Sequence, residues 1–170
     1  MHENGVGGVF MHARGGLKTE YLGEKWFECI KACAEKAEEL GMEAYAYDEN
    51  GWPSGFVGGK LLDDIENHDR YLTYAVGKYD EKALVSYQMT GKGLKRVYAG
   101  DDCLNVYQHY SASTVDILNG EVVDKFLALT HEEYKKRDTY HLKGFFTDEP
   151  QYYRWGTPYT KMLAPYFKEE

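Results

Sequence analysis

GVGGVFMHARGGLKTEYLGEKWFECIKACAEKAEELGMEAYAY, residues 5–47, is the stretch whose reading decides the fold. It opens on a short apolar run with glycines, ending at His12, the pattern of a buried strand. The loop HARGG (12–16) breaks that run. Leu22, Trp26, Ile30, Cys33, Ala37 and Leu40 then recur at helical spacing, with Glu24, Lys25, Glu28, Lys31, Glu35 and Glu38 on the other side. Gly23 stands as the N-cap, Glu24 meets the positive end of the helix dipole, and Gly41 marks the stop. Residues 42–47 (MEAYAY) read as a second strand. A strand, a helix and a strand with no tight hairpin turn between them predict two parallel strands joined by a crossover. Cys29 and Cys33 have no second Cys pair or His beside them, so buried apolar packing is expected of them rather than metal binding.

Working outward, DENGWPSGFVGG (48–59) reads as loop and residues 61–72 as a helix. Residues 73–110 hold short β-rich runs punctuated by Gly77, Gly91, Gly93 and Gly100, the pattern of an inserted β-rich excursion. Regular order is expected to resume with a third strand over 115–118, Asn119 as N-cap, and a helix whose stripe is Val122, Phe126 and Tyr134. A fourth strand over 142–146 ends at Thr147-Asp148-Glu149-Pro150, and the aromatic tail beyond it reads as loop with one helical turn.

The fold class this implies is α/β. Specifically, it is the N-terminal half of a TIM (β/α)8 barrel, about four βα units, with residues 73–110 inserted between the second and third units of a partial catalytic domain spanning 1–170. A whole barrel needs roughly 250 residues. No GxGxxG follows the first strand, which counts against a dinucleotide fold. Half a barrel would leave two open strand edges and an uncovered interior face, which invites self-association.

Composition bounds the partners. The 170 residues carry 20 basic and 28 acidic side chains, a net charge of −8, which argues against nucleic acid or an anionic membrane as partner. No apolar run is long enough to span a bilayer, and three cysteines do not make a disulfide framework. The first residues lack a signal-peptide pattern, which points to the cytoplasm. With 16 Tyr, 7 Phe and 3 Trp the chain is rich in flat apolar faces with polar edges, a surface that suits sugar rings as well as core packing.

Polar groups gather where the expected strands end: His12 and Arg14, then Asp48 and Glu49, then Asp116 and Asn119, then Asp148 and Glu149. In a parallel barrel these positions share one rim, where active sites sit. Carboxylates crowded on a rim raise one another's pKa and make a proton available near neutral pH. Glycosidic cleavage needs such an acid and a second carboxylate, roughly 5–5.5 Å apart for retention and 6.5–9.5 Å for inversion. Sugar contact is expected of His12, Arg14, Asp48, Glu49, Asp116 and Asp148, with Trp52 as a stacking platform. The HARGG loop lacks P-loop spacing, which disfavours a sugar-phosphate enzyme.

The stretches GVGGVFMHARGGLKTEYL, LGMEAYAYDENGWPSGFVGG, VDILNGEVVDKFLALTHEEYKK and GFFTDEPQ, about half of the chain, resemble the catalytic barrel of large bacterial glycoside hydrolases of the α-L-rhamnosidase type (family 106 and its relatives). The resemblance implies a carbohydrate substrate, Glu149 of the TDEP segment as general acid, and a partner carboxylate on a later strand that this sequence does not contain. On that ground the chain alone is expected to turn over little or no substrate. The competing expectation is a carbohydrate-binding remnant without catalysis. Some enzymes of this type also use calcium, and nothing in the sequence assigns its ligands.

Overall fold

A computed structural model describes residues 1–137, 141–153 and 155–166. The opening strand–helix–strand is present as β1 (Gly8–Ala13), α1 (Glu24–Glu39) and β2 (Glu43–Asn50), and β1 pairs with β2 in parallel. Gly23 is the N-cap of α1, and Gly41 takes the left-handed conformation (φ +66°) that ends it. The helix buries Trp26, Phe27, Ile30, Ala34 and Ala37 against Ala44 and Ala46 of β2, small residues that let helix and sheet approach closely. Cys29 and Cys33, expected inside, are exposed: the buried stripe runs through Phe27 and Ala34 and turns both thiols outward.

The half-barrel expectation fails. The described residues form two sheets: a three-stranded parallel sheet in the order β1-β2-β7 and a five-stranded antiparallel sheet in the order β5-β4-β6-β3-β8. The latter comprises β3 (His68–Gly77), β4 (Val85–Thr90), β5 (Gly93–Val97), β6 (Cys103–Val115) and, after α2 (Gly120–Leu129), α3 (His131–Lys135) and β7 (Phe145–Phe146), the late strand β8 (Thr157–Tyr159). A short helix, α4 (Leu163–Tyr166), follows. The segment taken for an insertion is thus the larger sheet, and it begins at His68. No parallel strand forms over 115–118. Val115 is the last residue of the 13-residue β6, and Asn119 caps α2 by accepting the Glu121 N–H. β7 consequently sits directly on β2, with Ala46 opposite Phe145 and Tyr47 opposite Phe146.

The helix expected over 61–72 gives way to strand for an identifiable reason. Asp64 accepts the Glu66 N–H and starts a single 3-10 turn over Ile65–Asn67. The next residues are then claimed from outside. His68 bridges Leu62 O and Ser111 O, Asn67 Nδ2 donates to Leu61 O, and β3 pairs with β6 from Arg70–Tyr110 through Gly77–Cys103. Cross-strand pairing overrides a local helical pattern that was short to begin with. β8 then docks on β3 through Gly156, where an added Cβ would lie 2.7 Å from Leu72 O.

No helix among the described residues is long and apolar enough to cross a membrane. The first prediction concerns the α1 contact. Ile30→Ala, at a side chain only 2% exposed, lowers unfolding free energy by about 2–5 kcal/mol in urea titrations. Glu28→Ala, on the outer side of the same helix, changes it by no more than about 0.5 kcal/mol.

Candidate functional site

The two faces of the parallel sheet differ, and β2 shows how. Its side chains alternate, so Ala44, Ala46 and Asp48 point toward the helices while Tyr45, Tyr47 and Glu49 point to the opposite face. On that opposite face Phe10 stacks on Tyr45 (4.8 Å between centroids), Phe146 lies 4.8 Å from Tyr47, and His12 lies flat on Tyr47 at 3.8 Å. This aromatic surface stays open enough to leave Phe10 53% and Phe146 41% exposed. At its C-terminal end His12 Nε2 comes within 2.6 Å of Glu49 Oε1. The atoms touch without hydrogen-bond alignment, so each is a buried polar atom lacking a proper partner.

Asp48, one residue away, lies in the opposite electrostatic situation. Its carboxylate is fully buried and accepts from Ser54 Oγ (2.7 Å), Thr147 Oγ1 (2.5 Å) and His131 Nε2 (3.0 Å). Burial alone would raise its pKa, but the three donors together hold it below the ordinary carboxylate value. Burial raises the pKa of Glu49, and the charge of Asp148 pushes it the same way. Ser54 Oγ also reaches Glu49 Oε2, at 3.3 Å, but a hydroxyl has one proton to give and Asp48 is the closer acceptor. His12 is lowered by burial and by Arg14, with Asp148 opposing. Both shifts disfavour the charged forms of the His12–Glu49 contact. Neighbouring carboxylates are thus driven apart, Asp48 toward the anion and Glu49 toward the acid.

Ser54 ties the end of β7 to this group. Its N–H donates to Asp148 O (2.9 Å), while its Oγ accepts the Asp148 N–H (2.8 Å). That clamp holds Asp148 beside Glu49 and His12. The next residue, Glu149, is exposed and adopts a left-handed backbone (φ +43°), a conformation that costs a side-chain-bearing residue about 1–2 kcal/mol. Strain of this kind persists where the surroundings over-determine it.

The structure therefore gathers His12, Asp48, Glu49 and Asp148 at the C-terminal ends of β1, β2 and β7. Arg14 is exposed and acts on His12 and Glu49 through its charge, and Trp52 is 39% exposed at the head of the following loop. Asp116 does not share this rim. It follows β6, is fully buried, and engages Arg70 (3.3 Å) and Thr160 (2.8 Å). The parallel strand that would have carried it to the rim does not exist. Near it, burial and the charge of Asp116 raise Asp69 to about 6. Sequence reasoning passed over Ser54, Thr147 and His131. Ser54 and Thr147 stand inside the WPSG and TDEP segments, whereas His131, 83 residues from Asp48, carries no local signal.

No family model, no curated protein and no solved structure matches this chain. Among the described residues no three His, Cys, Asp or Glu side chains form a group that could hold a metal ion.

Two measurements test these electrostatics. Ser54→Ala removes a donor from Asp48 and leaves the Asp148 N–H without its acceptor. The expected loss is about 1–3 kcal/mol of unfolding free energy at pH 7. Asp69 has a folded pKa of about 6 against an ordinary value of 3.8, so its protonation stabilises the fold fully below the lower value, and that contribution is gone above the higher one. Asp69→Asn is accordingly more stable than the wild type above pH 6, by up to about 3 kcal/mol, and the two converge near pH 4.

Proposed function

We propose that this chain carries carboxylates of a carbohydrate-hydrolysing site, with Glu149 as the proton donor to the departing sugar oxygen. The observation that carries the reading is the convergence of His12, Glu49 and Asp148 on one aromatic sheet face, with Glu149 next in the chain. Ligands of open α/β sheets bind outside the carboxyl ends of parallel strands, where these groups lie. The ring of Phe146, 41% exposed, offers an apolar face to a sugar ring, and the half-buried Asp148 carboxylate offers acceptors to its hydroxyls. In this reading Asp148, Glu49, His12 and Arg14 bind and orient the sugar. Asp48 holds the end of β7 in place, and Trp52 forms the outer platform. The likeness of the WPSG and TDEP segments to rhamnosidase-type hydrolases supports an assignment of the acid to Glu149.

One observation favours a second reading, sugar binding without turnover: the carboxyl that burial drives toward its protonated form is Glu49, whereas Glu149 is exposed. Aryl glycosides assayed beside calorimetric titration of the parent sugars separate the two. In the hydrolytic reading Glu149→Gln lowers kcat by about 10²–10⁴-fold while sugar affinity stays within a few-fold. Binding that survives in a wild-type chain with no turnover on any glycoside leaves the binding role alone. Unchanged turnover in Glu149→Gln removes the acid assignment. Where Glu49 is the donor instead, activity falls as pH rises through its elevated pKa. Asp148→Asn then moves that limb to lower pH, because it removes the negative charge that holds the proton on Glu49.

A further inference from the structure

Ser54 and Thr147, which bind Asp48, also form one wall of a hollow of about 220 Å3. Val115 and Ile117 at the end of β6, α2 side chains including Val123, Phe126 and Leu127, and Pro150 complete it, and the surface exposed within is apolar. Water finds few hydrogen-bonding partners on walls of this kind, and an apolar cavity of about 150 Å3 is enough to take up benzene. Pockets for drug-sized ligands run to roughly 300–1,000 Å3, so this one is sized for a single ring. It adjoins Asp48 and the Asp148 backbone through Ser54 and Thr147, and Pro150 directly follows Glu149 in the chain.

We propose that this hollow is a subsite for one aromatic ring, or an apolar group of similar size, carried by a ligand whose polar part lies past the end of β7, at Asp148 and Glu149. What the ring is attached to rests on the carbohydrate reading above; the ring site itself does not. Burial in the hollow removes an aryl group from water at roughly 25 cal/mol per Å2, a preference that a plain polar substituent does not receive.

The test uses phenol and cyclohexanol as probes, with glycerol as polar control, followed by amide NMR of the full chain. The expected result is a saturable shift at Gly55, Val123, Phe126 and Leu127 with millimolar affinity for phenol and cyclohexanol and none for glycerol. Val123→Trp fills the hollow and weakens phenol at least about tenfold, while the amides of Ser86 and Asn105 in the antiparallel sheet keep their positions and report an intact fold. Should that variant fail to fold, Leu127→Trp, at a side chain already 37% exposed, serves the same purpose. Three outcomes overturn the proposal. One is the absence of saturable shifts in the wild type. Another is equal phenol affinity in the filled variant. The last is a wild-type dimer that Val123→Trp converts to monomer, which would make the hollow a contact between two copies. Phenol binding without any sugar binding would leave the subsite standing and remove the carbohydrate reading, and sugar binding without phenol binding would do the reverse.

Discussion

The Asp48 carboxylate is the constraint on which the site depends. It lies near the end of β2, inside the protein, where an unpaired negative charge would be prohibitively costly. It is retained because Ser54, Thr147 and His131 each deliver a proton to it. Those three donors come from three places: the loop after β2, the end of β7, and the first residue of α3. Satisfying one charge therefore fixes three chain segments at once. Among the described residues the two-residue β7 pairs with β2 alone, through Phe145 and Phe146. Stacking of His131 on Phe145 at 4.5 Å joins the same contact to the aromatic core.

With Asp48 held as the anion, strand alternation does the rest. Adjacent residues of β2 face opposite sides, so Asp48 and Glu49 meet different surroundings although they share a peptide bond. Asp48 is surrounded by donors. Glu49 is left against His12, Tyr47 and the charge of Asp148. Sites that move protons need carboxylates with separated affinities, and here a single backbone property separates them. Polar capacity is also limited on this side: the one proton of Ser54 goes to the nearer carboxylate.

A second charged group marks the antiparallel sheet. Arg70 of β3 is almost fully buried between Asp116 and Glu66, and Thr160, just past β8, donates to Asp116. The late strand β8 is thereby tied to the junction of β3 and β6, so residues far apart in sequence close one sheet. Buried ion pairs of this kind add little net stability, but removing one partner leaves an uncompensated charge. The Asp116–Arg70 contact is better understood as fixing which strands meet than as a source of binding energy.

The unit from β1 to β2 was legible from residues alone, because its helix stripe, its cap at Gly23 and its stop at Gly41 are local signals within a few turns of chain. So was the cap at Asn119, and so was the nearness of His12, Asp48, Glu49 and Asp148 to strand ends, although the barrel rim expected to unite them with Asp116 is absent. Three things were decided only in three dimensions. Residues 61–77 became a 3-10 turn and a strand because β6 offered partners that the local pattern could not reveal. Asp116 left the expected rim because Val115 closes an antiparallel strand rather than a parallel one. Asp48 acquired His131 from across the chain. Each of these is set by contacts between residues distant in sequence, whereas periodicity and capping report only on residues that are near.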